Sequence, residues 1–163
     1  MHTLKTITKE GIPRALEKVE RYRLLNEPAE AESICRDILE IDPDNQKALS
    51  MLILTLSDQF SGGISYKEAT NLINQLKDDY QRYYYKGIIL EREAKAAIKR
   101  GGFGSHFDAY EWLVEAMEEF ENASSIRPSG NDDAILRYNT CVRTIQQHHL
   151  TPRTIESREP LLE

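Results

Sequence analysis

One short pattern occurs twice in the chain. The segment EAESICRDILEIDP, residues 30–43, returns 85 positions later as EAMEEFENASSIRP, residues 115–128. Both copies begin with Glu-Ala and carry an isoleucine two positions before a closing proline, and apolar or small residues lie at corresponding positions between these ends. Repetition of one amphipathic segment is typical of repeat proteins, because a single helix pair cannot bury its apolar face alone and neighbouring pairs must stack.

The spacing of apolar residues elsewhere also indicates helices. Apolar residues recur every three or four positions in nearly every segment, and no segment shows the alternation of a strand. Pro28 is suited to the first turn of a helix, and Asp42 before Pro43 is suited to its end. Ser65 and Asn131 are candidate N-caps. The sequence therefore predicts an all-α fold with about seven helices, joined by short turns into antiparallel hairpins.

The repeated segment resembles the tetratricopeptide repeat (TPR) family, whose unit is a helical hairpin of about 34 residues. The resemblance spans roughly residues 12–145 and implies a right-handed superhelix of stacked hairpins. The predicted domain is residues 1–150, and residues 151–163, which contain two prolines and several charged residues, are predicted to be a flexible tail. Two departures are that Arg127 replaces the acidic residue of the closing turn and that no proline closes the third match. The matching motifs are Glu30-Ala31 through Asp42-Pro43, Glu115-Ala116 through Pro128, Lys67-Glu68-Ala69, and YYYKG at 83–87.

One hairpin is predicted to be longer than the others. Gly87 and Ala116 match the small residues of paired repeat helices, but they are 29 positions apart, more than the family's spacing. The helical pattern continues on both sides of GGFGS, so both helices are expected to lengthen into a protruding hairpin with its tip at residues 101–105. Small residues at Gly87, Ala69 and Ala116 are expected to let helix backbones approach closely.

The two arms of this hairpin carry opposite charge. Residues 81–100 contain six basic and two acidic residues, whereas residues 105–126 contain six acidic residues and no lysine or arginine. Antiparallel neighbours of opposite sign attract, although each exposed ion pair contributes little. The acidic helix is thus either the complement of its neighbour or a docking face for a basic partner.

Composition narrows the classes of partner and location. The net charge of −6 argues against a general nucleic-acid binder, which would present a basic face. The apolar run ALSMLILTL is too short to span a bilayer, and the first residues show no signal-peptide pattern. Cys35 and Cys141 lie in apolar helical patterns and are predicted to be buried free thiols. These features predict a cytoplasmic protein that binds neither nucleic acid nor membrane.

The resemblance also implies where a partner would bind. First helices of TPR-like hairpins line a concave surface, and Tyr84 is expected there while its neighbour Tyr83 packs within the repeat. Packing of Tyr84 on the neighbouring repeat is the alternative. Three consecutive helical tyrosines sweep about 200°, so they cannot all face the core. The predicted partner-binding residues are Lys47, Leu54, Tyr84, Ile88, Leu136, Thr140 and Arg143.

The preferred functional prediction is a non-catalytic adaptor that binds an unidentified protein or peptide and needs no cofactor. No serine or cysteine stands in a nucleophile motif. One alternative is a metal-binding or enzymatic helical protein that uses His106, Asp108, His148 and His149. Another is a self-associating structural module in which a second copy covers the concave face or the long hairpin.

Overall fold

The computed structural model describes residues 1–154, and within them it contains seven α-helices, two single 3₁₀ turns and no strand. The predicted all-α class and the predicted number of helices are confirmed. The helices are α1 (Ile12–Leu24), α2 (Pro28–Ile41), α3 (Gln46–Ser57), α4 (Tyr66–Ile73), α5 (Asp79–Arg100), α6 (Ser105–Ser125) and α7 (Asp133–Gln147).

Local signals fix several helix ends. Pro28 is the first residue of α2, and the helix ends just before Asp42 and Pro43. The side chain of Ser65 accepts a hydrogen bond from the amide of Lys67 at 3.2 Å, which confirms the predicted cap of α4. Asn131 accepts from the amide of Asp133 at 3.0 Å, just outside the first turn of α7. These contacts satisfy amide groups that a helix start leaves unpaired.

The helices form two layers, with consecutive helices in alternate layers. The odd-numbered helices contact one another in series, α1 with α3, α3 with α5 and α5 with α7. Each of α2, α4 and α6 packs against the two odd-numbered helices on either side of it in sequence. We call α1, α3, α5 and α7 the odd-helix layer.

The long hairpin is formed by α5 and α6, with 22 and 21 residues. Its tip lies at the predicted position, because α5 ends at Arg100 and α6 begins at Ser105. Gly101, Gly102 and Gly104 have φ angles of 66°, 94° and 77°, which side chains with a Cβ rarely adopt. One ion pair joins the oppositely charged arms, Lys86 with Glu119 at 3.0 Å.

The core consists of apolar clusters on either side of α5. One lies among α1 to α5 and the other among α5, α6 and α7, and Leu54 and Tyr85 contact both. The small residues Gly87, Ala69 and Ala116 are all buried. Cys35 and Cys141 are buried free thiols, which also confirms the prediction.

The chain beyond α7 turns back onto α6. Leu150 is buried, and Arg153 donates to Asp108 at 2.7 Å and lies near Glu111 at 3.5 Å. Its guanidinium also lies over the ring of Phe107, 5.6 Å from the centroid. The predicted tail, residues 151–163, therefore includes a residue that contacts α6, and residues 155–163 of that prediction lie outside the described part of the chain.

Candidate functional site

The sequence-predicted site residues on α3 and α5 do not form one open surface. Lys47 is exposed and pairs with Glu20 of α1 at 3.2 Å. Leu54 is half-buried between the two main core clusters. Ile88 is only 3% exposed, so its side chain packs in the core, whereas the prediction places it on a surface for a partner. The reason is that α5 contacts α3, α4, α6 and α7 and so buries more of its surface than an outer helix does.

The tyrosines of α5 are arranged differently from the prediction. Tyr83, expected inside the repeat, is 39% exposed. Tyr84 is half-buried, and the centroid of its ring lies 5.9 Å from that of Phe120 and 5.8 Å from that of Tyr80. Burial raises the pKa of the Tyr84 hydroxyl to about 12, with Asp133 a smaller cause. Tyr84 therefore packs against its own helix and against Phe120 of the same hairpin, which is neither the open surface nor the neighbouring repeat considered for it.

The predicted residues on α7 are more accessible. Leu136 is 60% exposed and Arg143 is exposed without an ion pair to any of residues 1–154. Thr140 is half-buried and its hydroxyl donates to the carbonyl of Leu136 at 3.0 Å. Whether these residues bind a partner stays a prediction.

A different groove collects charged side chains at the C-terminal ends of α1, α3 and α5. It is a pocket of about 310 Å³ in the odd-helix layer, at the start of α2 and the turn after α3. We call it the basic groove, because four of its lining residues are lysine or arginine and one is acidic. Its lining residues are Arg23, Asn26, Pro28, Ser57, Asp58, Ser61, Arg92, Lys95, Ala96 and Lys99.

Asp58 ties two arginines together at the groove wall. Arg23 donates from Nε to Oδ2 of Asp58 at 2.8 Å and from Nη2 to Oδ1 at 3.4 Å. Arg92 donates from Nη1 to Oδ1 of the same carboxylate. One carboxylate thus holds two guanidinium groups from α1 and α5 in place. Their combined charge exceeds that of Asp58.

Two lysines extend the positive surface along α5 toward α7. Lys95 and Lys99 line both the basic groove and an adjoining pocket whose other residues are Ile98, Thr144, Gln147 and His148. Burial lowers the pKa of Lys95, while the nearby Glu91 carboxylate opposes that shift. No ion pair connects Lys99 to a carboxylate among residues 1–154. The α5 end of the groove thus carries positive charge that the described residues neutralise only in part.

Behind Lys95 lies a fully buried carboxylate. Glu91 is 0% exposed, and Nη2 of Arg137 from α7 donates to its Oε2. Lys95 Nζ lies 3.9 Å from the same oxygen, and the Cys141 thiol donates to Oε1 at 3.6 Å. Burial, assisted by Glu91, raises the pKa of Cys141 to about 12, so this thiol stays protonated at neutral pH. The cluster connects α5 to α7, and it shares Lys95 with the groove.

A larger cleft of about 580 Å³ lies between α2, α3 and α4, beneath residues 4–6. Leu49, Leu52 and Leu72 belong to its lining and are buried in the core. Two of its charged side chains are paired with each other, since Arg36 donates two hydrogen bonds to Glu68 at 2.8 and 3.0 Å. These bonds lower the pKa of Glu68. The basic groove is the better candidate site, because its lining has four cations and one anion, whereas the lining of the larger cleft has two cations and three anions.

The residues of the metal alternative lie on separate elements. Asp108 is engaged by Arg153, and His148 lines the pocket between α5 and α7. His106 and His149 are exposed. Within residues 1–154, no group of three or more His, Cys, Asp or Glu side chains is arranged to hold a metal ion.

Sequence reasoning missed the residues of the basic groove. Arg92, Lys95 and Lys99 are spaced three and four positions apart, so they share one face of α5, and this signal was present in the sequence. No such spacing in the sequence indicated that Arg23 and Asp58 belong to the groove. They are 35 positions apart and meet only because α1 packs on α3.

None of the helices in residues 1–154 is long and apolar enough to cross a bilayer. In comparisons with known proteins, no family model matches this sequence, and no curated protein or solved structure matches it at a significant level.

Proposed function

We propose that this protein is a non-catalytic, TPR-like adaptor that binds a protein or peptide on its odd-helix layer, in the cytoplasm. The arrangement of hairpins supports the proposal, because the odd-numbered helices contact one another in series and each of α2, α4 and α6 packs behind two of them. Stacked hairpins of this kind curve and offer a concave face to ligands. The odd-helix layer would be that face.

The basic groove is the observation that carries the proposal. Side chains from α1, α3 and α5 converge on a pocket of about 310 Å³, and Lys95 and Lys99 continue into the pocket beside α7. Thus all four helices of the odd-helix layer contribute residues to one continuous polar surface. A surface assembled from every repeat is the kind of site that an extended peptide can occupy.

The chemistry of the groove favours binding over catalysis. Its lining residues include no histidine or cysteine, and its single carboxylate, Asp58, is held by two arginines. The Ser57 hydroxyl donates to the carbonyl of Leu54 at 2.8 Å and has no basic partner that would activate it. Such groups can recognise a ligand through charge and hydrogen bonds.

Affinity capture from the native cell extract, followed by mass spectrometry, tests the proposal. Lys99→Glu reverses a charge in the groove, while Lys67→Glu makes the same change at an exposed position of α4. Both lysines lack an ion pair among residues 1–154, so both variants are expected to fold. Proteins captured by the wild type and by Lys67→Glu should be lost with Lys99→Glu. An identical set of captured proteins for all three would contradict binding at the groove.

Self-association remains the second candidate because apolar side chains lie exposed beside the groove. Leu24 and Leu25 at the end of α1 are 88% and 61% exposed, next to the groove residue Asn26. Light scattering separates the two functions: a mass well above 18.8 kDa that Leu24→Ser reduces would favour a second copy as the partner.

A further inference from the structure

We propose that the partner presents an acidic peptide segment whose carboxylates bind Arg23, Arg92, Lys95 and Lys99 in the basic groove. This inference rests on the proposed function and adds the chemical class of the ligand. The chain as a whole carries a net charge of −6, yet the lining of the groove has four cations and one anion. Positive charge concentrated in a concave site of an acidic protein attracts anions locally.

Asp58 holds the two arginines in place, and some of their N–H groups remain available as hydrogen-bond donors. Asp58 occupies Nε and Nη2 of Arg23 and Nη1 of Arg92. Nη1 of Arg23 and both Nε and Nη2 of Arg92 make no hydrogen bond with residues 1–154. An arginine fork that an internal carboxylate already orients loses little further freedom when a second carboxylate binds. The arrangement therefore suits charge-assisted bonds to carboxylates of a ligand.

The lysines supply a second anchoring point along α5. Lys99 has no ion pair among residues 1–154, and the nearest carboxylate to Lys95 is Glu91 at 3.9 Å, which Arg137 also engages. Arg92, Lys95 and Lys99 lie on one face of α5, so the cations follow the helix over two turns. A ligand with several carboxylates along an extended backbone can contact both the arginine pair and the lysines, whereas a single small anion cannot.

The surroundings favour a peptide over a nucleic acid. The groove lining contains no aromatic side chain on which a base could stack. The exposed residues Glu111, Glu115 and Glu118 on α6 would repel a long phosphate backbone that extended across the molecule. Asn26 and Ser61, by contrast, offer an amide and a hydroxyl to a peptide main chain.

Fluorescence anisotropy with labelled model peptides tests this proposal on the full chain. The acidic probe is a peptide of repeated Glu-Gly-Ser units, and its neutral counterpart has glutamine in place of glutamate. The acidic probe should bind at least about tenfold more tightly than the neutral one, and added sodium chloride should weaken its binding. Lys99→Glu should weaken the acidic probe by about tenfold, while Lys67→Glu should change it less than twofold.

Arg92→Gln gives a second groove variant that removes the charge and keeps an amide donor. Circular dichroism establishes that each variant is folded before its binding is compared. Equal binding of the acidic and neutral probes would overturn the proposal, as would acidic-probe binding that Lys99→Glu and Arg92→Gln leave unchanged. Tighter binding of a single-stranded oligonucleotide that both variants abolish would assign the groove to nucleic acid and also overturn it.

The same measurements separate this inference from the proposed function. If the neutral probe binds as tightly as the acidic one and both lose affinity in Lys99→Glu, the groove binds peptides but does not select acidic ones. The proposal that the partner is an acidic peptide then fails, while the proposed function as a peptide-binding adaptor stands. If neither probe binds and affinity capture from the extract is also insensitive to Lys99→Glu, both proposals fail.

Discussion

Gly87 of α5 lies directly against the aromatic ring of Phe120 on α6. A Cβ atom at position 87 would lie 2.6 Å from Cε1 of that ring, closer than real Cβ atoms approach other heavy atoms. Phe120 is fully buried, so its ring has little room to move away. This close approach brings the two long helices together, which is why a glycine is needed in the middle of a helix that would otherwise favour alanine.

Gly87→Ala should therefore destabilise the protein. The added methyl group overpacks the helix interface at a cost of about 1–3 kcal/mol, which outweighs the ~1 kcal/mol that alanine gains in helix propensity. Chemical denaturation checks the balance. Gly62→Ala is the control, since a Cβ there meets no atom within 4 Å. A Gly87→Ala variant more stable than wild type would mean that the Phe120 ring relaxes easily.

Truncation of the neighbouring tyrosines should destabilise the protein to different extents. Tyr84→Ala removes a ring packed against Phe120 and Tyr80 and should cost roughly 1–3 kcal/mol of stability, since the side chain is half-buried. Tyr83→Ala removes an exposed ring and should change stability by about 0.5 kcal/mol or less. Thermal unfolding of the two variants decides the point. Greater destabilisation by Tyr83→Ala would show that α5 is rotated from the orientation described.

Removal of Arg137 should be strongly destabilising. Glu91 would remain fully buried, with Lys95 at 3.9 Å as its nearest cation, and an uncompensated buried charge costs about 3–5 kcal/mol. Arg143→Ala is the matched control on the same helix, because Arg143 is exposed and pairs with none of residues 1–154. Urea unfolding should also show partial recovery when Glu91→Gln is added to Arg137→Ala. A small cost without that recovery would mean that water reaches Glu91.

The buried thiols predict a loss of stability at high pH. Burial raises the pKa of both Cys35 and Cys141 from 9.0 to about 12. The unfolded chain therefore releases these protons at a lower pH than the folded protein does. The stability contributed by the protonated thiols is fully present below pH 9.0, and it falls as the pH rises toward 12. At pH 10 the loss is about 1 kcal/mol per thiol. The urea midpoint should fall further between pH 8 and pH 10 for the wild type than for a Cys35→Ala, Cys141→Ala variant. An equal fall for the two proteins would contradict the raised pKa of the thiols.

The local features of the fold were predictable because they depend on neighbouring residues. Apolar spacing gave the helices, Pro28 and Ser65 marked helix starts, and the glycines of residues 101–104 marked the hairpin tip. Gly87 was recognised as a close contact because the repeat pattern places small residues where backbones meet. Except for Gly87, whose contact partner Phe120 lies on α6, each of these signals lies within a few residues of the structure that it determines.

The orientation of α5 was harder to predict, because four other helices contact it. The repeat pattern assigns one face to the core and one to the concave surface, but α5 also buries Ile88, which was expected to face a partner. The basic groove depends on Asp58 meeting Arg23 and Arg92 from distant parts of the chain. Such meetings follow from tertiary packing, and no local spacing encodes them.

Site-specific photo-crosslinking in the native host tests the binding surface most directly. A photoreactive amino acid replaces the exposed, uncharged Ser61 in the basic groove or, in the matched control, the exposed residue Ser33 on α2. Illumination should give discrete adducts with a cellular protein from position 61 and none from position 33. Adducts from position 33 alone, or equally from both, would contradict a partner bound on the odd-helix layer.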